Sequence, residues 1–204
     1  VDDHAENSIV VASGANMLLN EQDVDKVVEE MCEGDILLMQ LEIPIQTVEY
    51  AARRAFEKGV KVVLNPAPAR SLPKELLRYL FMITPNRIEA EMLTGIKIVN
   101  DADAERVAKE ISAMGVQNII VTLGSKGCLV REGDTSYCVD AFKVEPVDTT
   151  AAGDTFNGAL CVGLAEGMNL RQAAVMASKA SSVAVTRMGA QSSIPHRKEL
   201  DLNE

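Results

Sequence analysis

Short apolar runs alternate along this chain with longer segments in which apolar residues recur at helical spacing. This alternation predicts βαβ units, because consecutive parallel strands need a long crossover that a helix supplies. Strands are predicted at 8–12, 35–41, 60–64, 81–84 and 118–123, with a hairpin at 128–131 and 136–139. Helices are predicted at 21–32, 44–58, 86–93, 102–114, 151–166 and 170–187. The sequence therefore predicts an α/β fold with a mostly parallel sheet flanked by helices.

Length, charge and composition restrict the possible partners. A chain of 204 residues that is 47% hydrophobic can bury one substantial core, so one domain is expected. The formal net charge of −10 opposes binding to a phosphate backbone, which argues against a nucleic-acid partner. No apolar stretch approaches the roughly 20 residues that span a bilayer, so no membrane partner is expected. We expect a soluble cytoplasmic protein.

The four cysteines and two histidines do not have the spacing of a metal site. No CxxC pair is present, and neither His4 nor His196 is placed to complete a zinc site with a cysteine. Unclustered thiols are typical of a reducing compartment, where buried unpaired cysteine is common. A reactive or disulfide-forming cysteine remains the alternative interpretation.

Small residues are concentrated where a helix is predicted to begin, in the segment 148–159. Ala151, Ala152 and Gly153 directly precede Asp154. Small side chains let backbone N–H groups at a helix N-terminus approach an anion closely, and the helix dipole favours negative charge there. Asp154 could simply cap the helix, or it could accept the proton of an attacking hydroxyl. The spacing alone leaves both interpretations open.

Four other features have an ordinary structural interpretation when taken alone. Asn86 and Glu89 are spaced to share one helix face, which is usually solvated. The glycine-rich segment 122–127 is compatible with a hairpin connection, and it does not have the Walker pattern. The segment 186–193 reads as a polar surface loop, and Glu42 as a solvated residue at a strand end.

The segment 148–159 resembles, nearly residue for residue, the carboxy-terminal signature of the ribokinase family of carbohydrate kinases. The resemblance extends from about residue 7 to residue 197, and within the family it is closer to the ribose kinases than to the adenosine or fructose kinases. Further matches follow in order at 13–16, 38–42, 64–70, 83–86, 93–95 and 121–124. The resemblance implies a ribokinase-like three-layer α/β sandwich.

The resemblance implies a catalytic and sugar-binding set. Asp154 would be the general base for the sugar hydroxyl and would also contact the sugar, as would Glu42. The N–H groups of Ala151, Ala152 and Gly153 would stabilise the transferring phosphoryl group. Positioning and charge stabilisation of this kind supply most of the catalysis in phosphoryl transfer.

The resemblance also implies a nucleotide and two kinds of ion. Glu89 would organise Mg²⁺ through water, which suits an ion that keeps several of its own waters. ATP would lie against Asn86, Thr122, Leu123, Gly124, Ser125, Lys126, Gly127, Gly153, Asp154 and Ser178, with Ser178 near the start of the last helix. The implied potassium ligands are Asp148, Thr150, Ala184, Arg187, Gly189 and Ser193.

The implied activity is ATP-dependent phosphorylation of D-ribose at its 5-hydroxyl, by a homodimer when full length. Family members carry, ahead of the matched region, an Asn-x-Asp sugar contact, a Gly-Gly-x-x-x-Asn stretch and lid strands. Residues 1–204 are therefore expected to form the nucleotide-binding and catalytic part, with 1–16 as a junction between lid and sheet. Alone, this part is expected to bind ATP weakly and to phosphorylate no sugar. The alternatives are another sugar or nucleoside as acceptor, or a truncated, non-catalytic nucleotide-binding module.

Overall fold

A computed structural model describes residues 11–200 of the chain. The strand predicted at 8–12 and the junction predicted at 1–16 lie largely outside this range. Within it, the chain enters the fold through a short 3-10 helix at Gly14–Leu18.

The strands form one sheet whose spatial order follows their order in the sequence. They are β1 (Ile36–Met39), β2 (Lys61–Leu64), β3 (Met82–Ile83), β4 (Asn118–Thr122), β5 (Cys128–Glu132) and β6 (Thr135–Val139). The strands β1 to β4 pair in parallel. A two-residue turn at Gly133 and Asp134 joins β5 to β6 as a hairpin. The predicted mostly parallel α/β sheet is confirmed.

The helices of residues 11–200 are close to those predicted. They are α1 (Glu21–Glu30), α2 (Ile45–Glu57), α3 (Lys74–Leu77), α4 (Arg87–Thr94), α5 (Asp101–Ala113), α6 (Ala152–Ala165) and α7 (Leu170–Ala184). Only α3 was not predicted from the sequence. It has four residues, too few to show a helical period, and its one signal is Pro73 at its start.

Four helices begin with the same local device, an asparagine whose side chain accepts a backbone N–H three residues later. In return, the side chain at that third position accepts the asparagine N–H, which completes a capping box. The pairs are Asn20 with Asp23, Asn86 with Glu89, Asn100 with Asp103 and Asn169 with Gln172. Helix α6 begins differently, without any side-chain cap.

The described contacts divide the chain into two compact units. The sheet unit comprises residues 12–123 and 129–137, and the α6–α7 unit comprises residues 124–128 and 138–200 together with Val11. The core of the sheet unit lies between its central strands and the buried faces of α2 and α5, and its fully buried side chains include Val48, Val62, Leu64, Ile83, Ile111, Ile119 and Val121. Fully burying one such side chain stabilises the fold by roughly 1.5–3 kcal/mol. None of the helices in residues 11–200 has the length and hydropathy to cross a membrane.

Candidate active site

The N-terminus of α6 is open, and the residue before it is strained. Ala151 has a φ of 59°, the one positive φ outside glycine among residues 11–200. This left-handed conformation costs roughly 1–2 kcal/mol for a residue with a Cβ. The N–H groups of Gly153 and Asp154 lie in the first turn, where the helix itself supplies no acceptor, and Gly153 is exposed. The start of α6 therefore presents backbone donors to an anion.

One of the predicted donors is already engaged. The N–H of Ala152 donates to the carbonyl of Thr149 at 3.2 Å, which closes the turn that leads into the helix. In this respect the structure differs from the prediction that Ala151, Ala152 and Gly153 all offer their N–H groups. A shift of this turn would be needed before Ala152 could contribute.

Asp154 lies beside these donors on the exposed side of the first turn. The N-cap of α6 is Ala151, and no side chain caps this helix, so Asp154 does not act as a cap. An exposed carboxylate next to uncapped donors can accept a proton from a hydroxyl that is bound at the same place.

Two side chains that the sequence did not single out hold the first turn of α6 in place. Ser181 on α7 donates its hydroxyl to the carbonyl of Ala152 at 3.0 Å. The buried Asn157 donates its Nδ2 to the carbonyl of Gly153, also at 3.0 Å. Asn157 lies within the signature segment, but the 29-residue separation of Ser181 from Ala152 gave no local signal.

The side chain of Asp148 links the loop that leads into α6 with the segment that follows α7. Its side chain is buried, its Oδ1 accepts the N–H of Thr150 at 2.9 Å, and its Oδ2 accepts the N–H of Gly189 at 2.9 Å. The Thr150 hydroxyl, followed by these two N–H groups, holds the pKa of Asp148 below its ordinary value. Asp148 is therefore a buried anion whose carboxylate connects two loops.

Backbone hydrogen bonds connect Asp148 with the end of α7, where the predicted potassium ligands Ala184 and Arg187 follow in sequence. The N–H groups of Val147 and Asp148 donate to the carbonyl of Val185, just beyond α7, and the N–H of Arg187 donates to Ala184. Ser193 is fully buried and donates its hydroxyl to Ala190. Among residues 11–200, no ion pair includes Asp148, and no group of three His, Cys, Asp or Glu side chains forms a metal cluster. A single buried carboxylate suits a monovalent cation better than a divalent one, because one negative charge balances one positive charge.

The lowered pKa of Asp148 predicts how Asp148→Asn will respond to pH. An asparagine can accept only one of the two N–H bonds, so the variant should be less stable at pH 7. Because the folded-state pKa is depressed, the carboxylate stabilises the fold above its unfolded-state pKa, and this contribution disappears as pH falls through the folded-state pKa. Urea denaturation of parent and variant at stepwise lower pH should show their difference shrinking. A difference that stays constant would contradict the assignment.

In the sheet unit, Asn86 and Glu89 form a closed hydrogen-bonded pair at the start of α4. The Glu89 carboxylate accepts the Asn86 N–H at 2.7 Å and its Nδ2 at 2.8 Å, while Asn86 Oδ1 accepts the Glu89 N–H at 2.9 Å. Glu89 is only 4% exposed, and burial raises the pKa of its carboxyl although the Asn86 N–H opposes this shift. A solvated helix face therefore describes the exposed Asn86 but not the buried Glu89.

The carboxyl ends of the parallel strands bring several predicted residues to one edge of the sheet unit. The N–H of Thr122, at the end of β4, donates to Pro85 at 3.0 Å, and Thr122 bridges to Asn86. Leu41, beyond β1, donates its N–H to Ala67 at 2.7 Å, next to the exposed Glu42. Ligands of open parallel sheets bind at this edge. Glu42 lies three residues past β1, because the strand ends at Met39 rather than at the predicted Leu41.

The remainder of the predicted nucleotide loop, at residues 124–127, belongs to the α6–α7 unit. It forms a 3-10 turn over Gly124–Lys126, and Gly127 donates its N–H back to Gly124 at 2.9 Å. Ser178 differs from its predicted place near the start of the last helix, because α7 begins at Leu170. Ser178 is buried and hydrogen-bonds the buried thiol of Cys128, whose pKa burial raises to about 12.

A cavity of about 310 Å³ in the α6–α7 unit borders the predicted nucleotide loop, because Gly127 packs against the backbone of Val139 and Ala141. Its lining consists of Cys138, Val139, Asp140, Ala141, Phe142, Arg171 and Val175. None of these residues was predicted to contact ATP, sugar or metal.

Comparison with known proteins gives one consistent family. The model of the pfkB family carbohydrate kinases matches residues 1–197. A ribokinase of Haemophilus influenzae is 46% identical over 195 residues, which is 96% of this chain and 64% of that protein. A ribokinase of Staphylococcus aureus is 40% identical over 202 residues, 98% of this chain and 66% of that protein. The chain therefore spans a little under two thirds of the length of these relatives.

Solved structures give the same result. A ribokinase from Thermotoga maritima superposes with a TM-score of 0.85 at 40% identity, covering 98% of this chain and 66% of that one. An Arabidopsis thaliana ribokinase complexed with ribose and ATP superposes with a TM-score of 0.86 at 30% identity, covering 96% of this chain and 64% of that one.

Proposed function

Because the chain belongs to the pfkB family of carbohydrate kinases, we propose that its protein transfers the γ-phosphoryl group of ATP to the 5-hydroxyl of D-ribose. The observation that carries this proposal is the exposed carboxylate of Asp154 beside the uncapped N-terminus of α6. The choice of ribose is supported by relatives named ribokinase at 37% to 46% identity.

The proposed reaction needs one proton acceptor and one set of donors. Asp154 takes the proton of the 5-hydroxyl as its oxygen attacks the γ-phosphorus. A new oxygen–phosphorus bond forms, the bond to the β–γ bridging oxygen breaks, and ADP leaves. The N–H groups at the start of α6 stabilise the charge on the transferring phosphoryl group, and they are already aligned before reaction. Glu42 is proposed to orient the sugar.

In the sheet unit, Asn86 and Thr122 are proposed to contact the nucleotide. In the α6–α7 unit, the turn at 124–127 and Ser178 are proposed to contact it. Mg²⁺ would be held through its own waters by the Glu89 carboxylate, and when bound it would neutralise charge on the triphosphate. Glu89 has the chemistry expected of a residue that orients a hydrated Mg²⁺ ion. It is a buried carboxylate, and two hydrogen bonds from Asn86 fix its position.

Glu89→Gln should separate the magnesium role from the capping role. The neutral side chain keeps one acceptor for Asn86 and no longer needs a buried charge, so the free energy of unfolding should change by about 1 kcal/mol or less. The Mg²⁺ concentration for half-maximal activity should rise about tenfold or more, as is typical when an outer ligand is lost. Glu91→Gln on the same helix, where Glu91 accepts the Ile98 N–H, is the control. Equal magnesium dependence in both variants would refute this role of Glu89.

Potassium is proposed to bind beside Asp148, with Thr150, Ala184, Arg187, Gly189 and Ser193 contributing oxygens. The buried carboxylate of Asp148, which accepts the Gly189 N–H, supports this part of the proposal. Because Asp148 also bonds the N–H of Thr150, the ion would order the backbone that leads into α6. A cytoplasmic location and a homodimer belong to the same proposal.

The function is tested by coupled assay of the full-length protein with ATP and a panel of acceptors. Ribose should be preferred over fructose and adenosine, and potassium should activate more than sodium. 2-Deoxyribose deserves a place in the panel because a deoxyribokinase of Salmonella typhi is 34% identical over 209 residues. ATP binding without turnover of any acceptor would indicate the non-catalytic alternative, and a preference for another acceptor would refute ribose.

A further inference from the structure

The segment from Arg187 to Ser193 carries the N–H that bonds Asp148, and much of its own bonding is local. Ser192 donates its hydroxyl to Met188 at 3.2 Å, and Ser193 donates to Ala190 at 2.7 Å. Gly189 has a φ of 95°, and an added Cβ would lie 2.5 Å from Ser192 Oγ. The segment is thus a tight turn, and a contact from outside it would help to keep the Gly189 N–H aimed at Asp148.

An ion pair near the end of the described chain supplies such support. Arg187 Nη2 donates to Glu199 Oε1 at 2.6 Å. The other oxygen of Glu199 accepts the N–H of His196 at 2.7 Å, which fixes the carboxylate on its own 3-10 turn. These two bonds hold the pKa of Glu199 down to about 2, so the pair stays charged at neutral pH.

The contacts form a continuous path within the α6–α7 unit. It runs from Glu199 to Arg187, along two peptide units to Gly189, and through Asp148 to Thr150 beside the start of α6. We propose that Glu199 is a positioning residue, which braces Arg187 so that Gly189 and the neighbouring carbonyls keep the geometry that binds the monovalent cation. The effect on cation binding rests on the proposed function. The effect of Glu199 on the geometry of the turn at 187–193 does not depend on it.

A second Arg–Glu pair in the same unit gives a matched control. Arg197 donates to Glu166 at 2.7 Å, and both pairs are partly exposed. Glu199→Gln keeps an acceptor for the His196 N–H and removes the charge that faces Arg187. Glu166→Gln removes the same charge at a place that does not contact the 187–193 segment.

The first measurement needs no activity. In the full-length protein without potassium, the Gly189 amide should exchange with deuterium about threefold or more faster in Glu199→Gln than in the parent. In Glu166→Gln its exchange should match the parent. Unchanged exchange in Glu199→Gln, or an equal increase in both variants, overturns the brace.

The second measurement is the potassium dependence of the kinase reaction. Half-maximal activation should need about three times more potassium in Glu199→Gln, the size of effect expected from losing one exposed ion pair. Because saturating potassium refills the site, kcat there should stay within about twofold of the parent. An unchanged potassium requirement, or a kcat that is equally low at every potassium concentration, overturns the proposal. If the parent phosphorylates no sugar, the proposed function fails, and the exchange measurement alone decides the brace.

Discussion

Replacing Asp154 with asparagine should lower kcat by a factor on the order of 10² or more, the usual contribution of a general base. The substitution preserves the size of the side chain but leaves no group of suitable basicity beside the open start of α6. Because Asp154 is exposed and caps no helix, the fold should be little affected. The KM for ATP should change little, since removing a proton acceptor affects the transition state more than the bound ground state.

Asp101→Asn is the matched control for this experiment. Asp101 is also an exposed aspartate in the first turn of a helix, and it belongs to α5 of the sheet unit rather than to α6. Steady-state kinetics of parent and both variants, with thermal unfolding to check integrity, would measure the effect. A near-parental kcat in Asp154→Asn would remove Asp154 from the mechanism.

Gly127→Ala should lower the free energy of unfolding by about 3 kcal/mol or more, because the new Cβ has no space. It would lie 2.0 Å from the carbonyl oxygen of Val139 and 2.7 Å from the N of Ala141. Both are backbone atoms, which cannot turn away as a flexible side chain can. The φ of 88° adds the cost of a left-handed conformation to that of the clash.

Gly124→Ala, three residues earlier in the same turn, separates the cost of the left-handed conformation from the cost of the steric clash. Its φ is 63°, but an added Cβ would meet nothing within 4 Å, so only the left-handed conformation counts. We expect a loss of about 1–2 kcal/mol there. Urea denaturation of the two variants would compare them directly. Equal losses would show that the contact between Gly127 and the strand β6 end is looser than the structure indicates.

The sequence predicts those elements whose signals are local. The strand β4 is recognisable because Ile119, Ile120 and Val121 form an apolar run between polar Asn118 and Thr122. The helices follow from apolar periodicity, with their ends marked by glycine and asparagine. The strand β3 was predicted longer than its two residues, because flanking Phe81 and Thr84 look equally suited to a strand.

The candidate site was predictable where its residues lie close together in sequence. Asn86 and Glu89 are three residues apart, and the same Asn-led spacing begins three other helices. Spacing did not predict that the bond from Gly189 to Asp148 crosses 41 residues, or that Ser181 supports Ala152. Such contacts arise from how α6 and α7 pack, which no local pattern encodes. The family and the α/β sheet are confirmed, whereas the roles of individual site residues remain predictions.

The left-handed backbone of Ala151 affects how the N–H groups at the start of α6 can respond to a negative charge. Glycine would relieve the strain there, but it would also let this turn explore many more backbone states. Alanine, held at a φ of 59° by its surroundings, leaves the turn few other conformations. Under the proposed function, an oxyanion would meet N–H dipoles of Gly153 and Asp154 that are already oriented, so stabilising the developing charge would need little reorganisation. The strained conformation of Ala151 thus lowers the stability of the fold slightly, and it restricts the directions in which the N–H groups at the start of α6 can point.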